Sequence, residues 1–312
     1  MARFCGMVPA TRGRSAGVAH SHIDDRSVVF WPCDRASGRM SLSDPNAVVA
    51  ASMRFRGERR PVLVCDAGSD FVAAARTAEA RAGAEGVALA YAFVGAEAAF
   101  AAEGIGWASL GPVPTLVRPL RLSYASPLLP RLPLLLPFGR NRRKGFREIT
   151  SLPVDVRITR LWDRFSVDVG CALERTTKLF GWRIYDTAAA SRYRTFIFED
   201  GDRYAIRAMC IFTVASGVGY VMELLHDRSV AGMRAASHLL GLALREMSDA
   251  GAESARALAL PHSGSYPIFA LHAFVARPDP RSIVVRAFDR DLEDVVMLRD
   301  RWYVSYLDEM RV

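Results

Sequence analysis

Lysine is nearly missing from this sequence: almost all of its 41 Lys and Arg residues are Arg, set against 33 Asp and Glu for a formal charge of +8. Planar guanidinium forks suit phosphate or carboxylate partners. The composition alone gives no reason to expect a nucleic acid, and none is expected as a partner. Paired cysteines are missing too. Cys5, Cys33, Cys65, Cys171 and Cys210 are odd in number and widely spaced, with no C-x-x-C pair and no histidine at zinc-finger distance. That pattern argues against a disulfide scaffold and predicts a reducing, cytoplasmic location. Cys65, Cys171 and Cys210 sit in apolar runs and read as small buried hydrophobes. "HSHIDD", His20 to Asp25, has metal-ligand types but no third ligand in view, so no metal is expected.

A long hydrophobic run is the third absence. The first thirty residues contain no secretory apolar core. The most membrane-like stretch, "PLLPRLPLLLPFG" from Pro127 to Gly139, holds four prolines and Arg131, and it falls short of the roughly 20 residues that span a bilayer. No transmembrane segment is expected. With "RNRRKGFR", Arg140 to Arg147, directly behind it, peripheral contact with a membrane surface is one expectation. A proline-rich connector is the favoured one, because proline at that density opposes the amphipathic helix that surface binding normally uses.

What is present is ordinary globular composition, 51% hydrophobic over 312 residues, which predicts two domains or subdomains. Residues 1–45 have no periodicity and form a poorly defined start. From Asn46, "AVVAASMRF" and "PVLVCDAG" read as two β-runs around Gly57, and "DFVAAARTAEARAGAEG" as a helix with Asp70 as its N-cap. "VALAYAFVG" reads as a buried strand, "AEAAFAAEGIGW" as a short helix ending in a glycine corner, and "VPTLVRPL" as a strand. The second half repeats the order. "RTFIFED", "RYAIRAMCIFTVA" and "GYVMELLH" are strands and "GMRAASHLLGLALREMSDAG" is an amphipathic helix. "SARALALPH" is a strand, "SYPIFALHAF" a short helix into a corner and "RSIVVRAF" a strand. The spacing from Tyr91 to Trp107 is 16, as is that from Leu258 to Phe274, and a closing Arg follows each corner aromatic after 11 and 12 positions, Arg118 and Arg286. Two degenerate copies of one unit explain this best.

On the series "AARTAEARAGAEGVALAYAFVGAEAAFAAEGIGWASLGPVPTLVRPL", on "RLWDRF…TTKLFGWRIYD…RYRTFIF" and on "RWYVSYLDE", the chain resembles the GNAT acyltransferase superfamily, in particular bacterial proteins with two GNAT-like units in tandem. The resemblance implies an α/β (α+β) fold of two mixed-sheet units flanked by helices. Residues 46–125 would be a first, degenerate unit, 126–150 a connector and 151–312 the second unit. It implies an acyl-CoA-dependent N-acyltransferase that takes acetyl-CoA or another acyl-CoA as co-substrate. The acceptor would be a small amine, an amino sugar or a cell-surface precursor among the options. In such a fold two central strands splay to admit the pantetheine arm, and the pyrophosphate meets the amides of a helix start. A helix N-terminus offers unpaired N–H groups and partial positive charge.

Carried onto this chain, the cofactor-binding candidates are His226, Arg228, Ala231, Gly232, Met233 and Arg234 in "HDRSVAGMR", whose small residues are one position out of register with the family's loop. In the first unit "CDAGSDF" has Gly68 but places Asp66 and Asp70 where they would repel phosphate. Glu223 is the candidate base and Tyr266 the candidate acid. The bland alternatives stay open beside them: Glu223 as a solvent-facing strand residue and Tyr266 as a packed helix start. Trp107, Trp162, Trp182 and Trp302 read as core anchors. His238 and His272 read as packed or surface residues, and His262 lacks a nucleophile elbow. Two further alternatives are an inactive binding or scaffold protein on the same fold, and a Fem-type aminoacyl transferase, for which the expected coiled-coil insertion is not seen. The oligomeric state is left open.

Overall fold

A computed structural model of the chain describes residues 48–55, 58–65, 71–126, 128–134, 144–149, 156–185, 192–201 and 205–308. The expectations for residues 1–45, Gly57, Asp66, Gly68, Asp70, the run from Arg140 to Arg143 and the side chain of Trp182 lie outside what is described.

The first half begins with the antiparallel strands β1 (Val48–Phe55) and β2 (Glu58–Cys65). It continues through helix α1 (Phe71–Glu85), β3 (Leu89–Val94), α2 (Ala96–Gly104), β4 (Ala108–Pro112) and β5 (Thr115–Pro119). After a loop come β6 (Phe146–Ile149), α3 (Val156–Phe165), β7 (Cys171–Leu173) and the short α4 (Thr177–Phe180). The second half runs β8 (Tyr193–Asp200), β9 (Ala205–Ala215), β10 (Val218–His226), α5 (Val230–Asp249), β11 (Ser254–Leu258), α6 (Tyr266–Leu271), β12 (Val275–Arg277), β13 (Ser282–Ala287) and α7 (Glu293–Val296). No described helix is long and apolar enough to cross a membrane.

Two mixed sheets result, in the orders β4-β13-β3-β2-β1-β7 and β12-β5-β11-β10-β9-β8-β6. The orders match strand for strand over most of their width, and the strands that close each half are exchanged. β5, from the first half, lies between β11 and β12, and β13, from the second half, lies between β3 and β4. The connections that cross between the sheets touch each other: Val113 N donates to the Arg281 carbonyl at 2.9 Å, and Thr115 Oγ1 donates to Asp279 Oδ2 at 2.5 Å.

The corners that launch the crossings are built alike. Trp107 N donates to the Ala102 carbonyl at 3.0 Å and Phe274 N to the Phe269 carbonyl at 3.1 Å, each five residues back. The residue before each aromatic is left-handed, Gly106 at φ 83° and Ala273 at φ 58°. This is the glycine-type helix stop, and it releases an aromatic into the core. Trp107, Trp162 and Trp302 are all buried, as are Cys65, Cys171 and Cys210. Burial pushes the thiols of Cys171 and Cys210 well up, so neither is a ready nucleophile.

One core lies between the sheets, where Met53, Val62 and Tyr91 of the first meet Met209, Ile211 and Met222 of the second. Helix α3 joins it because Ile158, Leu161, Trp162 and Phe165, at i, i+3, i+4 and i+7, form one buried stripe. A second core lies under α5, with Leu239, Leu240, Ala243, Leu244 and Met247 inward as the periodicity predicts, and a third lies under α1 and α2. Residues 146–149 form the outer strand of the second sheet, paired with β8. Gly145 makes this possible: its φ is 96°, and an added Cβ would lie 2.5 Å from the Glu199 carbonyl. The preceding loop leaves Leu128 94% exposed.

Candidate functional site

Strand β10 carries the divergence that a splayed pair requires. It is bonded in parallel to β11 only from Val218↔Ser254 to Val221↔Ala257, whereas its antiparallel pairing with β9 runs on to His226↔Ala208. The break coincides with a bulge between Val221 and Glu223 that makes Met222 the extra residue. A bulge bends its strand and ends local pairing, so β10 leaves β11 at that point. The equivalent pair in the first sheet behaves differently. β2 is bonded to β3 through its last described residue, Cys65↔Ala92.

Beyond the divergence, His226 is the last residue of β10 and Asp227 to Ser229 are the loop, so the helix begins two residues earlier than its sequence pattern suggests. The reason is the cap. Ser229 Oγ accepts from Gly232 N at 2.9 Å, and Asp227 Oδ1 accepts from Ser229 N at 3.1 Å and from the Ser229 hydroxyl. The other Asp227 oxygen accepts from Arg207 Nη1 at 3.1 Å. The amides of Val230 and Ala231, in the first turn, remain open by helix geometry. Ala231, Met233 and Arg234 are exposed beside them. Gly232 is buried and cannot be larger, because an added Cβ would overlap the Asp227 carboxylate and carbonyl.

His226 and Arg228 turn away from this helix start and close the mouth of the gap. His226 is buried, with Nδ1 2.7 Å from the Asp227 carbonyl and Nε2 3.1 Å from the Gly264 carbonyl, across the gap. Arg228 Nε donates to the Phe165 carbonyl at 2.8 Å, and its guanidinium lies 5.1 Å over the Phe165 ring. It packs so closely on Gly264 that a Cβ there would come within 2.7 Å of Nη1.

Inside the gap Glu223 is only 1% exposed, the reverse of a solvent-facing strand residue. Its Oε2 accepts from Arg175 Nε at 2.7 Å and from Ser305 Oγ at 3.1 Å, and its Oε1 accepts from the Tyr303 hydroxyl. Arg175, with no exposed surface, also donates to both carboxylate oxygens of Asp308, at 2.7 and 2.6 Å. Burial alone would lower the pKa of Arg175, but Asp308 and Glu223 outweigh it and hold the guanidinium charged. Burial, then the Glu223 charge, pushes the Tyr303 phenol well up, so it stays a proton donor. Ser265, across the gap, reaches the same phenol, and its hydroxyl lies 3.2 Å from that of Ser263.

Glu223, His226 and Arg228 are thus gathered at one strand end, with Ala231, Gly232, Met233 and Arg234 on the helix that follows. Tyr266 starts α6 and packs against the core under α5. The phenol on Glu223 is that of Tyr303. Sequence reasoning missed Tyr303, Arg175 and Asp308. The only available signal was a Tyr, a Ser and an Asp at 303, 305 and 308 within the terminal stretch that carries the family resemblance. His262 bonds the Trp302 carbonyl at 2.8 Å, a structural contact. No group of His, Cys, Asp and Glu among the described residues could hold a metal ion.

No family model and no curated relative matches the sequence. Solved structures do match the fold. A probable N-acyltransferase from Enterococcus faecalis superposes with a TM-score of 0.55 at 12% identity, over 78% of this chain and 58% of that one. The N-myristoyltransferase of Saccharomyces cerevisiae with bound myristoyl-CoA gives 0.52 at 13%, over 80% and 68%. A GCN5-related N-acetyltransferase from Anabaena variabilis gives 0.50 at 10%, over 77% and 58%. The chain therefore spans under two thirds of the length of the Enterococcus and Anabaena proteins. Its fold is of the GNAT type, with two mixed α/β units.

Proposed function

We propose that the protein is an acyl-CoA-dependent N-acyltransferase that uses the second sheet, with acetyl-CoA or another acyl-CoA as co-substrate and a small amine as acceptor. The observation that carries this is the loss of β10–β11 pairing after Val221, on the strand that leads into the capped start of α5. The matched structures include a myristoyl-CoA complex, which supports the same class of ligand.

The residues present fit such a ligand at the helix start. The Val230 and Ala231 amides and the exposed Arg234 would hold its pyrophosphate, and the ligand supplies an activated thioester. The chain's own part is to orient and exclude water. Arg175 and Tyr303 fix the Glu223 carboxylate at the bulge, and α3 covers it through Phe165 and Trp162. As proposals for proton transfer, Glu223 is the base and Tyr266 the acid. Glu223 has both oxygens engaged, so it would accept a proton only by giving up Tyr303, Ser305, Arg175 or the Leu224 amide.

A specific observation favours a second reading, a binding protein on this fold without turnover. The His226–Gly264 contact and the Arg228–Phe165 contact bridge the gap, and the Asp227 carboxylate already sits at the helix start. One experiment separates the two: thermal unfolding with acetyl-CoA and longer acyl-CoAs, followed by a coupled assay for free thiol with an amine panel. A rise in Tm lost in Ala231→Glu, together with thiol release, supports the enzyme. A rise without release supports the binding protein, and no rise with any acyl-CoA removes both.

A further inference from the structure

At the end of β10 opposite the start of α5, about 25 Å from His226 along the strand by its rise per residue, lies a second concavity. A cavity of about 470 Å³ opens between the β9–β10 turn, the start of β11 and the segment after β5, within the size range of small-ligand sites. Its walls include Tyr124, Arg131, Ser216, Glu253, Ser254 and Arg256.

Arg256 is the informative residue. It sits in mid-β11, paired with Tyr220 and Val117 in the two neighbouring strands, so its backbone is fixed. Its Nε is buried without a hydrogen-bond partner, and its guanidinium forms no ion pair with any described residue. A sequestered guanidinium donor with no acceptor is costly, and of the arginines with a buried, unpartnered Nε (Arg118, Arg121, Arg245 and Arg256) Arg256 is the one that lines this cavity, where a ligand would satisfy it. Arg131, on the facing wall, is 81% exposed and meets Glu253 only at 3.8 Å, a contact too loose to neutralise the site. Two guanidinium groups and one carboxylate leave the cavity with net positive charge, and Tyr124, Ser216 and Ser254 add hydroxyls.

We propose that this cavity binds a small oxyanion-bearing ligand, a carboxylate or phosphate group seated on the fork of Arg256 with Arg131 as the second cation. The planar fork presents two parallel N–H donors to such a group, which a lysine could not. Glu253 on the same wall disfavours a polyanion and favours a ligand with one acidic end. The site is separate from the acyl-CoA proposal and does not depend on it.

The test titrates the full chain with sodium phosphate and, separately, with sodium acetate. Ionic strength is held constant with chloride while thermal unfolding is followed by circular dichroism. A saturable rise in Tm is expected with at least one anion, the stronger response distinguishing phosphate from carboxylate. Arg256→Gln should raise the half-saturating concentration about tenfold or more, the effect of losing a bidentate charged pair. Arg290→Gln, an exposed arginine beyond β13, should leave it unchanged, and Arg234→Gln, at the start of α5, should leave a saturable response at the Arg256 site. Without ligand, Arg256→Gln should unfold at the wild-type temperature or above it, since an unsatisfied donor is removed. The proposal is overturned if neither anion gives a saturable rise, if Arg256→Gln responds like wild type, if Arg234→Gln abolishes the response instead, or if Arg256→Gln loses several degrees in the absence of ligand.

Discussion

Arg118 donates from Nη1 to the backbone carbonyl of His272. The donor belongs to β5, a strand of the first half, and the acceptor ends α6 of the second. The reciprocal contact is also present, from Arg286 on β13 to the carbonyl of Gly106 after α2. Each exchanged strand thus carries the arginine that ties it to the helix corner of the half it has joined. This gives the closing Arg of the repeated sequence a physical reason, since the last carbonyls of each helix need donors and the visiting strand supplies one.

The two clasps should differ in strength because their burial differs. Arg118 is 7% exposed, whereas the Arg286 side chain is 42% exposed. Arg118→Ala should cost about 2–3 kcal/mol through lost packing and an orphaned carbonyl, and Arg286→Ala at most about 1 kcal/mol. Urea unfolding of the two variants measures both.

His272, at the Arg118 contact, makes stability depend on pH. Burial, then the Arg118 charge, pushes its pKa down to about 4, against a bond with Ser237 that raises it. The unfolded chain therefore takes up the proton first. Stability from this group is fully present above about pH 6.5 and is lost as pH falls from there to about 4, by up to about 3 kcal/mol. Urea midpoints between pH 7 and pH 4 should fall, and His272→Asn should flatten that fall.

Gly232 is held small by Asp227 in the unliganded protein, whatever binds there. Gly232→Ala should destabilise by about 1–3 kcal/mol from overlap alone. Asp227→Ala in the same chain should return part of that loss, an interaction that a double-mutant cycle in urea reads directly.

Arg175 neutralises two buried carboxylates, so its loss and the loss of one carboxylate are unequal. Arg175→Met leaves Glu223 and Asp308 buried without their cation and should cost about 3–5 kcal/mol, enough to leave little folded protein. Glu223→Gln keeps the Arg175–Asp308 pair and should still fold, as near-ultraviolet circular dichroism would record. It is therefore the variant in which loss of kcat, with folding intact, tests Glu223 as a base.

Most long elements were legible in the sequence because their patterns are local. The inward stripe of α5 and the apolar runs of β9 and β10 are fixed by neighbours within a few residues. Which sheet a strand joins is not local, and the exchange of β5 and β13 leaves no mark in either strand's own pattern. The three-residue strands β7 and β12 are too short for a period, and "ASLGP" at β4 contains the glycine and proline that usually signal a turn. The same limit applies at the candidate site. Glu223 was legible as a strand residue near a helix start. Its burial was not, because the groups that compensate it stand 48, 80 and 82 positions away, at Arg175, Tyr303 and Ser305.

The strand exchange also sets an order of events during synthesis. When β3 and β4 leave the ribosome, the strand that belongs between them has not been translated; it arrives only with Ser282–Ala287. At the usual 5–20 residues per second that is a wait of roughly ten to thirty seconds. Through that interval both inner edges of the first sheet are exposed, open to pairing with any extended chain nearby, and a nascent-chain chaperone should find its binding sites there.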